Sequence, residues 1–346
     1  MHLRAVANRC MFFQREGMDK PVCKGWESKH MKYRKLGKNG PEISVIGFGS
    51  WAIGGGNWEM SWGDQDDHQS MESVRIALDA GVTFFDTAPV YGLGHAEELI
   101  GKALESDRDQ VVLATKCGYL WDENQHLVKN GTFDSIMREA EASLRRLGTD
   151  TIDLYQMHYP DTDAHAPADE TMRAMEQLVK DGKVRYIGLC NYTVPLIEQS
   201  MSVRHVDSLQ PPYSILVPQA ERELLPYCLE QGIGVVAYSP LASGLLSGKY
   251  THDTRFADDD WRSKHKAYTG ESFKRNMDRV EKLKSIAARL DITVPQLAIG
   301  YALAHPALTS AIVGVRRPEH ITSILAAAEV ELDDATLAEI RAAVAR

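Results

Sequence analysis

The stretch VTFFDTAPVYG (82–92) decides how the rest of the chain is read. Residues 82–85 are β-branched and aromatic, the composition of a short buried strand, and the run ends on Asp86 with Tyr91 just beyond it. Two other apolar runs end in the same way, VVLATK (111–116) on Lys116 and IDLYQMH (152–158) on His158. In a barrel of parallel strands the carboxyl ends converge on one face, and chemistry is built there. Four polar residues far apart in sequence would then meet around one substrate.

Outward from this stretch a single unit recurs: an amphipathic helix, a glycine, then a strand. The helices DHQSMESVRIALDA, SIMREAEASLRRL, ADETMRAMEQLVKD and AERELLPYCLEQ run into Gly81, Gly148, Gly182 and Gly232, and the strands VTFFD, TIDLYQ, VRYIGL and GVVAYS follow. Glycine just past a helix takes the left-handed conformation that ends it. Eight strands are expected, at 45–49, 82–86, 111–115, 152–156, 184–188, 206–210, 234–238 and 309–313. Alternating strands and helices imply parallel strands with right-handed crossovers, and eight such units close into an α/β fold, the (β/α)8 TIM barrel. The rival is a doubly wound open sheet, which needs a switch point and a glycine-rich first turn. Upstream, KYRKLGKNGPEIS (32–44) reads as a β-hairpin about Lys38-Asn39-Gly40 that caps the barrel bottom. Residues 1–30 show no period and read as an extension outside the fold, with Met31 as an alternative natural start; 31–346 read as one domain.

Composition narrows the class. Of 346 residues 44% are hydrophobic and 25% charged, ordinary globular proportions. The net charge of -9, with no basic patch, argues against a nucleic-acid partner. No apolar run approaches the roughly 18 residues of a membrane helix, so no membrane partner is expected. The N-terminal residues lack the apolar segment of a secretory signal. Five scattered cysteines without a CxxC pair make a reducing, cytoplasmic setting the simpler account.

Two glycine-rich stretches, GFGSWAIGGG (47–56) and GLGHAE (92–97), lack the dinucleotide fingerprint; a tight turn and close approach of a ligand to backbone are the expected roles. HYPDTDAH (158–165) holds His158, Asp161 and His165 at spacings open to a metal, but no second cluster accompanies it, and no metal is expected. The polar stretch 240–270 reads as a flap over a ligand. Asp86, Tyr91, Lys116 and His158 suit proton donation to an oxygen that becomes an alkoxide as hydride reaches carbon. A lysine beside the phenol is expected to lower its pKa, an aspartate to hold the lysine, and a histidine to polarise a carbonyl. The bland reading is a buried Asp86–Lys116 ion pair and a loop tyrosine.

Together GVTFFDTAPVYGLGHAEELIG, ATKCG, DLYQMHYPD, GLCNY, LQPPYS, YSPLASGLLSGKY and VGVRRPEH resemble an aldo-keto reductase, of the bacterial inositol-utilisation and general-stress branch, from about residue 32 to 340. The resemblance implies Tyr91 as proton donor, Lys116 and Asp86 behind it, and His158 orienting the carbonyl. It implies NADP(H) extended across the barrel mouth. Gly49, Ser50, Trp51, Asp86, Cys190, Asn191 and Gln210 fall toward the nicotinamide, and Tyr238 would stack on its ring. Ser239, Pro240, Leu241, Ala242, Gly244, Leu245 and Lys249 match the pyrophosphate side. Gly314, Val315, Arg316 and His320 match the adenosine end, with Arg316 expected to meet a 2′-phosphate in the bidentate manner of a guanidinium. Relatives carry serine at Cys190 and often glutamine at His320. The substrate is expected among small aldehydes, ketones or aldose-like polyols, against Trp51, Tyr91, His158 and Tyr159, with Trp58, Trp62, Trp121 and Tyr213 as further aromatic walls. A monomer or weak homo-oligomer is expected. The alternatives are a nucleotide-binding subunit like the β subunits of potassium channels, and a metal-dependent barrel isomerase.

Overall fold

The computed structural model describes residues 30–56, 58–161, 166–257 and 260–345. Eight parallel strands close into one barrel in chain order. They are β3 (Ile46–Gly49), β4 (Phe84–Asp86), β5 (Val112–Cys117), β8 (Ile152–Met157), β9 (Val184–Cys190), β10 (Ser208–Gln210), β11 (Gly234–Tyr238) and β12 (Leu308–Gly314). β12 pairs back onto β3, so no edge is left open. All eight expected strands are present, several a residue or two shorter or longer than read.

Two antiparallel pairs lie outside the barrel: β1 (Tyr33–Lys35) with β2 (Glu42–Ser44), and β6 (Tyr119–Trp121) with β7 (Leu127–Lys129). The first is the expected hairpin, but its turn is not built on Asn39-Gly40. The residue with positive φ is Gly37, at 58°, and the loop closes through Leu36 N to Pro41 O at 2.8 Å. Leu36 and Ile43 are fully buried and join Phe84, Ala114, Leu154, Val236 and Ile312 in the barrel interior. A Cβ on Gly37 would stand 2.7 Å from Gly234 N, which shows how closely this plug seats on the amino end of β11. The β6–β7 pair was not expected from sequence; it rises at the carboxyl end of β5.

The outer ring is α1 (Asp67–Asp79), α2 (His95–Leu104), α3 (Phe133–Leu147), α4 (Ala168–Lys180), α5 (Val194–Met201), α6 (Leu224–Gln231), α7 (Gly270–Arg289), α8 (Val294–Ala304), α9 (Ile321–Leu325) and α10 (Asp334–Val344). Gly148 and Gly232 cap α3 and α6 in the left-handed conformation, as their positions after an apolar periodic run require. Met172, Met175 and Leu178 of α4 are fully buried against the barrel, so the methionines are core. Except for His30, the expected extension 1–30 lies outside the described residues. Among those described, no helix is long and apolar enough to cross a membrane.

Candidate active site

The register places the polar strand ends. Asp86 of β4 pairs with Ala114 of β5, Lys116 of β5 with Gln156 of β8, and Gln210 of β10 with Cys190 of β9. Side chains two residues apart on a strand share a face, so these groups converge inside the carboxyl end of the barrel. Lys116 is fully buried. Its ammonium donates to Asp86 Oδ1 at 2.6 Å, to the Thr87 carbonyl at 2.9 Å and to the Tyr91 hydroxyl at 3.2 Å. The other carboxylate oxygen of Asp86 accepts from Gln156 Nε2 at 3.1 Å and Gln210 Nε2 at 2.9 Å. The Lys116 ammonium thus has three acceptors and both Asp86 oxygens have donors, the condition under which a charge pair survives burial.

Tyr91 is seated by glycine. Its loop presses onto Gly54, where a Cβ would lie 2.8 Å from both Gly92 N and Tyr91 C. Close approach was expected in GFGSWAIGGG, but at Gly54 the approaching group is this loop and not a ligand. Burial, then the carboxylate of Asp86, Cys190 and Tyr159 hold the Tyr91 phenol well above its usual pKa. The net shift is upward, against the expected lowering: burial outweighs the Lys116 ammonium 3.2 Å away, whose charge Asp86 offsets at 2.6 Å. Tyr91 therefore keeps its proton throughout the neutral range.

His158 follows β8 and meets Tyr91 edge-on, with ring centroids 5.9 Å apart. It stacks on Tyr159 at 5.1 Å, and Tyr119 of β6 closes the same box at 5.5 Å. Burial, then the Lys116 charge push the imidazole well below its usual pKa, so it is neutral at pH 7. Its Nδ1 is buried without a partner.

Above these groups opens a cavity of about 830 Å³. Most residues expected at a ligand line it: Gly49, Trp51, Asp86, Tyr91, His158 and Tyr159, then Cys190, Asn191, Gln210 and Tyr238, and farther out Ser239, Pro240, Leu241, Gly244, Lys249, Gly314, Val315, Arg316 and His320. Ser50, Ala242 and Leu245 stand behind the wall. Ser50 is buried with its hydroxyl unpartnered, and the Ala242 carbonyl accepts from Tyr268 at 2.9 Å. Of the further aromatics, Trp58 and Trp62 line the cavity but Trp121 and Tyr213 do not. Tyr213 is spent in the core, donating to Glu221 at 2.6 Å.

Asn191, at φ 63°, donates to the His158 carbonyl at 3.0 Å and accepts from the Tyr238 hydroxyl at 2.9 Å. It fixes the Tyr238 ring at the cavity wall. Ser239, Ala242 and Ser243 take positive φ, backbone strain of the kind that gathers at ligand sites. Of the stretch 240–270 expected as a flap, Leu241, Gly244, Tyr250 and Arg262 line the cavity. Arg262, which no sequence signal marked, sits with both terminal faces of its fork engaged. It grips Asp260 at 2.5 Å, donates to Tyr250 at 2.7 Å and lies 4.8 Å over the Trp62 ring.

Arg316 is differently employed than expected. Its guanidinium donates to Gln65 Oε1 at 3.0 Å, Trp62 O at 2.9 Å and Asp64 O at 2.7 Å. Three of its five N–H groups thus hold the 62–65 loop. Gln156, Gln65 and Tyr119 were also missed. Gln156 alone had a signal, since it precedes His158 by two on one strand and so shares its face. Of the metal candidates, His165 lies outside the described residues, and no cluster of metal-ligating side chains occurs among those described.

The sequence profile of the aldo/keto reductase family matches residues 45–345, and the chain belongs to that family of carbonyl-reducing, nicotinamide-dependent oxidoreductases. It is 38% identical over 297 residues to aldo-keto reductase YhdN of Bacillus subtilis, covering 85% of this chain and 88% of that one. It is 35% identical over 317 residues to an NADH-specific methylglyoxal reductase of Escherichia coli, covering 88% and 96%. The structure of a glycerol dehydrogenase from Gluconobacter oxydans superposes with a TM-score of 0.82 at 32% identity, covering 90% of this chain and 94% of that one.

Proposed function

We propose that the protein is an NADP(H)-dependent reductase of aldehydes and ketones, with Tyr91 as the proton donor. The carrying observation is the contact of Lys116 with both Asp86 and the Tyr91 hydroxyl inside a cavity that Tyr91 and His158 both line. The residues fit an extended dinucleotide: the cavity continues past the Tyr238 ring and the strained turn 239–244 to a cationic corner at Lys249 and Arg316. The bound cofactor supplies hydride to the carbonyl carbon. Tyr91 delivers its proton to the carbonyl oxygen, and the Lys116 ammonium stabilises the phenolate that this leaves. Asp86, Gln156 and Gln210 hold Lys116 where it can do so. His158 is neutral, and an imidazole whose Nδ1 lacks an acceptor places its proton on Nε2, free to donate to the substrate oxygen.

Trp51, Trp58, Tyr119 and Tyr159 make an aromatic wall suited to small aldehydes, ketones or the ring face of an aldose. No observation on the described residues favours the channel-subunit or metal readings. We propose a cytoplasmic protein that is a monomer or weak homo-oligomer.

Fluorescence titration of NADPH on wild type and Tyr91→Phe, followed by turnover with 4-nitrobenzaldehyde and glyceraldehyde, tests the reading. Both proteins should bind, with turnover lowered by about 10²–10⁴-fold in the variant, the usual worth of a positioned acid. Absence of NADPH binding in wild type, or a Tyr91→Phe variant that turns over normally, overturns it.

A further inference from the structure

We infer that His320, through its contact with Lys249, makes the preference for a phosphorylated over an unphosphorylated dinucleotide rise as pH falls. The inference rests on the coenzyme reading of the cavity and deepens it at the adenosine end.

The geometry is specific. Lys249 Nζ lies 2.9 Å from His320 Nε2, and both side chains line the outer cavity. An ammonium has only donors, so Nε2 must be the acceptor and His320 must be neutral in this arrangement. Protonating the ring would break that bond and set two cations face to face. An anion entering between them reverses the sign: the imidazolium can then donate from Nε2 while Lys249 turns to the same anion. A phosphate monoester carries about -1.5 to -2 charges near neutrality and several acceptor oxygens, which suits it to two cationic donors.

The surroundings reinforce this. Burial and Lys249 lower the pKa of His320, with Arg317 acting in the same sense and Glu319 against it. Glu319 is 58% exposed and is drawn to Arg317 at 3.8 Å, so it is a weak counter-ion for the histidine. Arg316, the cation expected to meet the phosphate, is fastened to the 62–65 loop through three of its donors. Lys249 and His320 are thus the pair at this corner whose contact a phosphate would replace. The contact puts Lys249, expected on the pyrophosphate side, at the adenosine end beside His320, so a dinucleotide without the 2′-phosphate leaves it intact and takes up no proton there. By linkage, a proton taken up on binding one ligand and not the other makes their affinity ratio depend on pH.

The measurement is the ratio of the dissociation constants of NADH and NADPH from about pH 8 to about pH 6.5, by fluorescence titration. In wild type the ratio should rise on the order of fivefold, within the roughly tenfold per pH unit that one linked proton allows. In His320→Gln it should stay flat within about twofold, since an amide cannot take up a proton in this range. Parallel profiles in the two proteins overturn the inference. Calorimetry of wild type alone, in two buffers of different ionisation enthalpy, reads the same event without a variant. NADPH should take up a larger fraction of a proton than NADH near neutrality, and equal uptake overturns the inference. Failure of wild type to bind either dinucleotide would instead sink the coenzyme reading on which it rests.

Discussion

Replacing Lys116 by methionine tests whether the polar centre of the barrel is organised as described. The side chain is fully buried, and that of Asp86 is only 4% exposed. Methionine fills most of the lysine stem, so the cost comes from electrostatics and not from a cavity. Removing one partner of a buried ion pair typically costs about 3–5 kcal/mol. Here Asp86 keeps two amide donors, from Gln156 and Gln210, which lowers the charge penalty. The Thr87 carbonyl, which accepts from Lys116 at 2.9 Å, loses a donor and returns about 1 kcal/mol to the cost. The net expectation is about 3 kcal/mol. With an unfolding entropy of roughly 2.1 cal/mol/K per residue, this lowers Tm by about 4 °C. The decisive comparison is the double variant Lys116→Met with Asp86→Asn, which removes both charges while leaving an acceptor for the two glutamines. It should recover at least about 1 kcal/mol over the single lysine variant, as coupled neighbours do, and should remain inactive. Thermal unfolding of wild type, Lys116→Met, Asp86→Asn and the double variant, followed by circular dichroism, gives the three losses. A lysine variant as stable as wild type, or a double variant that loses the sum of both single losses, refutes the account of Asp86 and Lys116 as one matched unit.

Arg316→Met should weaken binding of NADPH and NADH alike, by roughly tenfold, because it releases the 62–65 loop with its three hydrogen bonds; a loss confined to NADPH would return the phosphate role to Arg316. Glu139 gives a pH dependence of stability. Burial raises its carboxyl to about 7, above the unfolded value of 4.5, so the folded state binds more protons between these values and stability falls as pH rises through that window. Glu139→Gln should therefore gain roughly 1–2 kcal/mol relative to wild type between pH 5 and pH 8, discounted from the ~1.4 kcal/mol per pKa unit because the group is partly exposed. Urea unfolding of both proteins at the two pH values checks the sign.

Much of this protein was legible in its sequence because the signals are local. A strand ending on a polar residue, a helix ending on a glycine and the recurrence of that unit fix eight β/α repeats without reference to anything distant. The segment around Asp86 and Tyr91 carries the most specific of the motifs that together make the family resemblance. The alternation of strand faces also puts His158 and Lys116 at the same end of the barrel. What only the tertiary structure decided concerns which partners those groups meet. Gln156 and Gln210 reach one carboxylate from strands 54 residues apart. No period in the sequence says that two amides will share the acceptor that balances Lys116, or that burial first and the Asp86 carboxylate second will hold the Tyr91 phenol protonated. Arg316 and Gln65 are separated by 251 positions, and only folding shows that the residue expected at a phosphate also fastens the 62–65 loop. Arg262 lies in a stretch without periodicity, so only folding brings it over Trp62. Strand and helix identity follows from neighbours along the chain, whereas charge state and hydrogen-bond partnership follow from neighbours in space, and closing the barrel is what creates those.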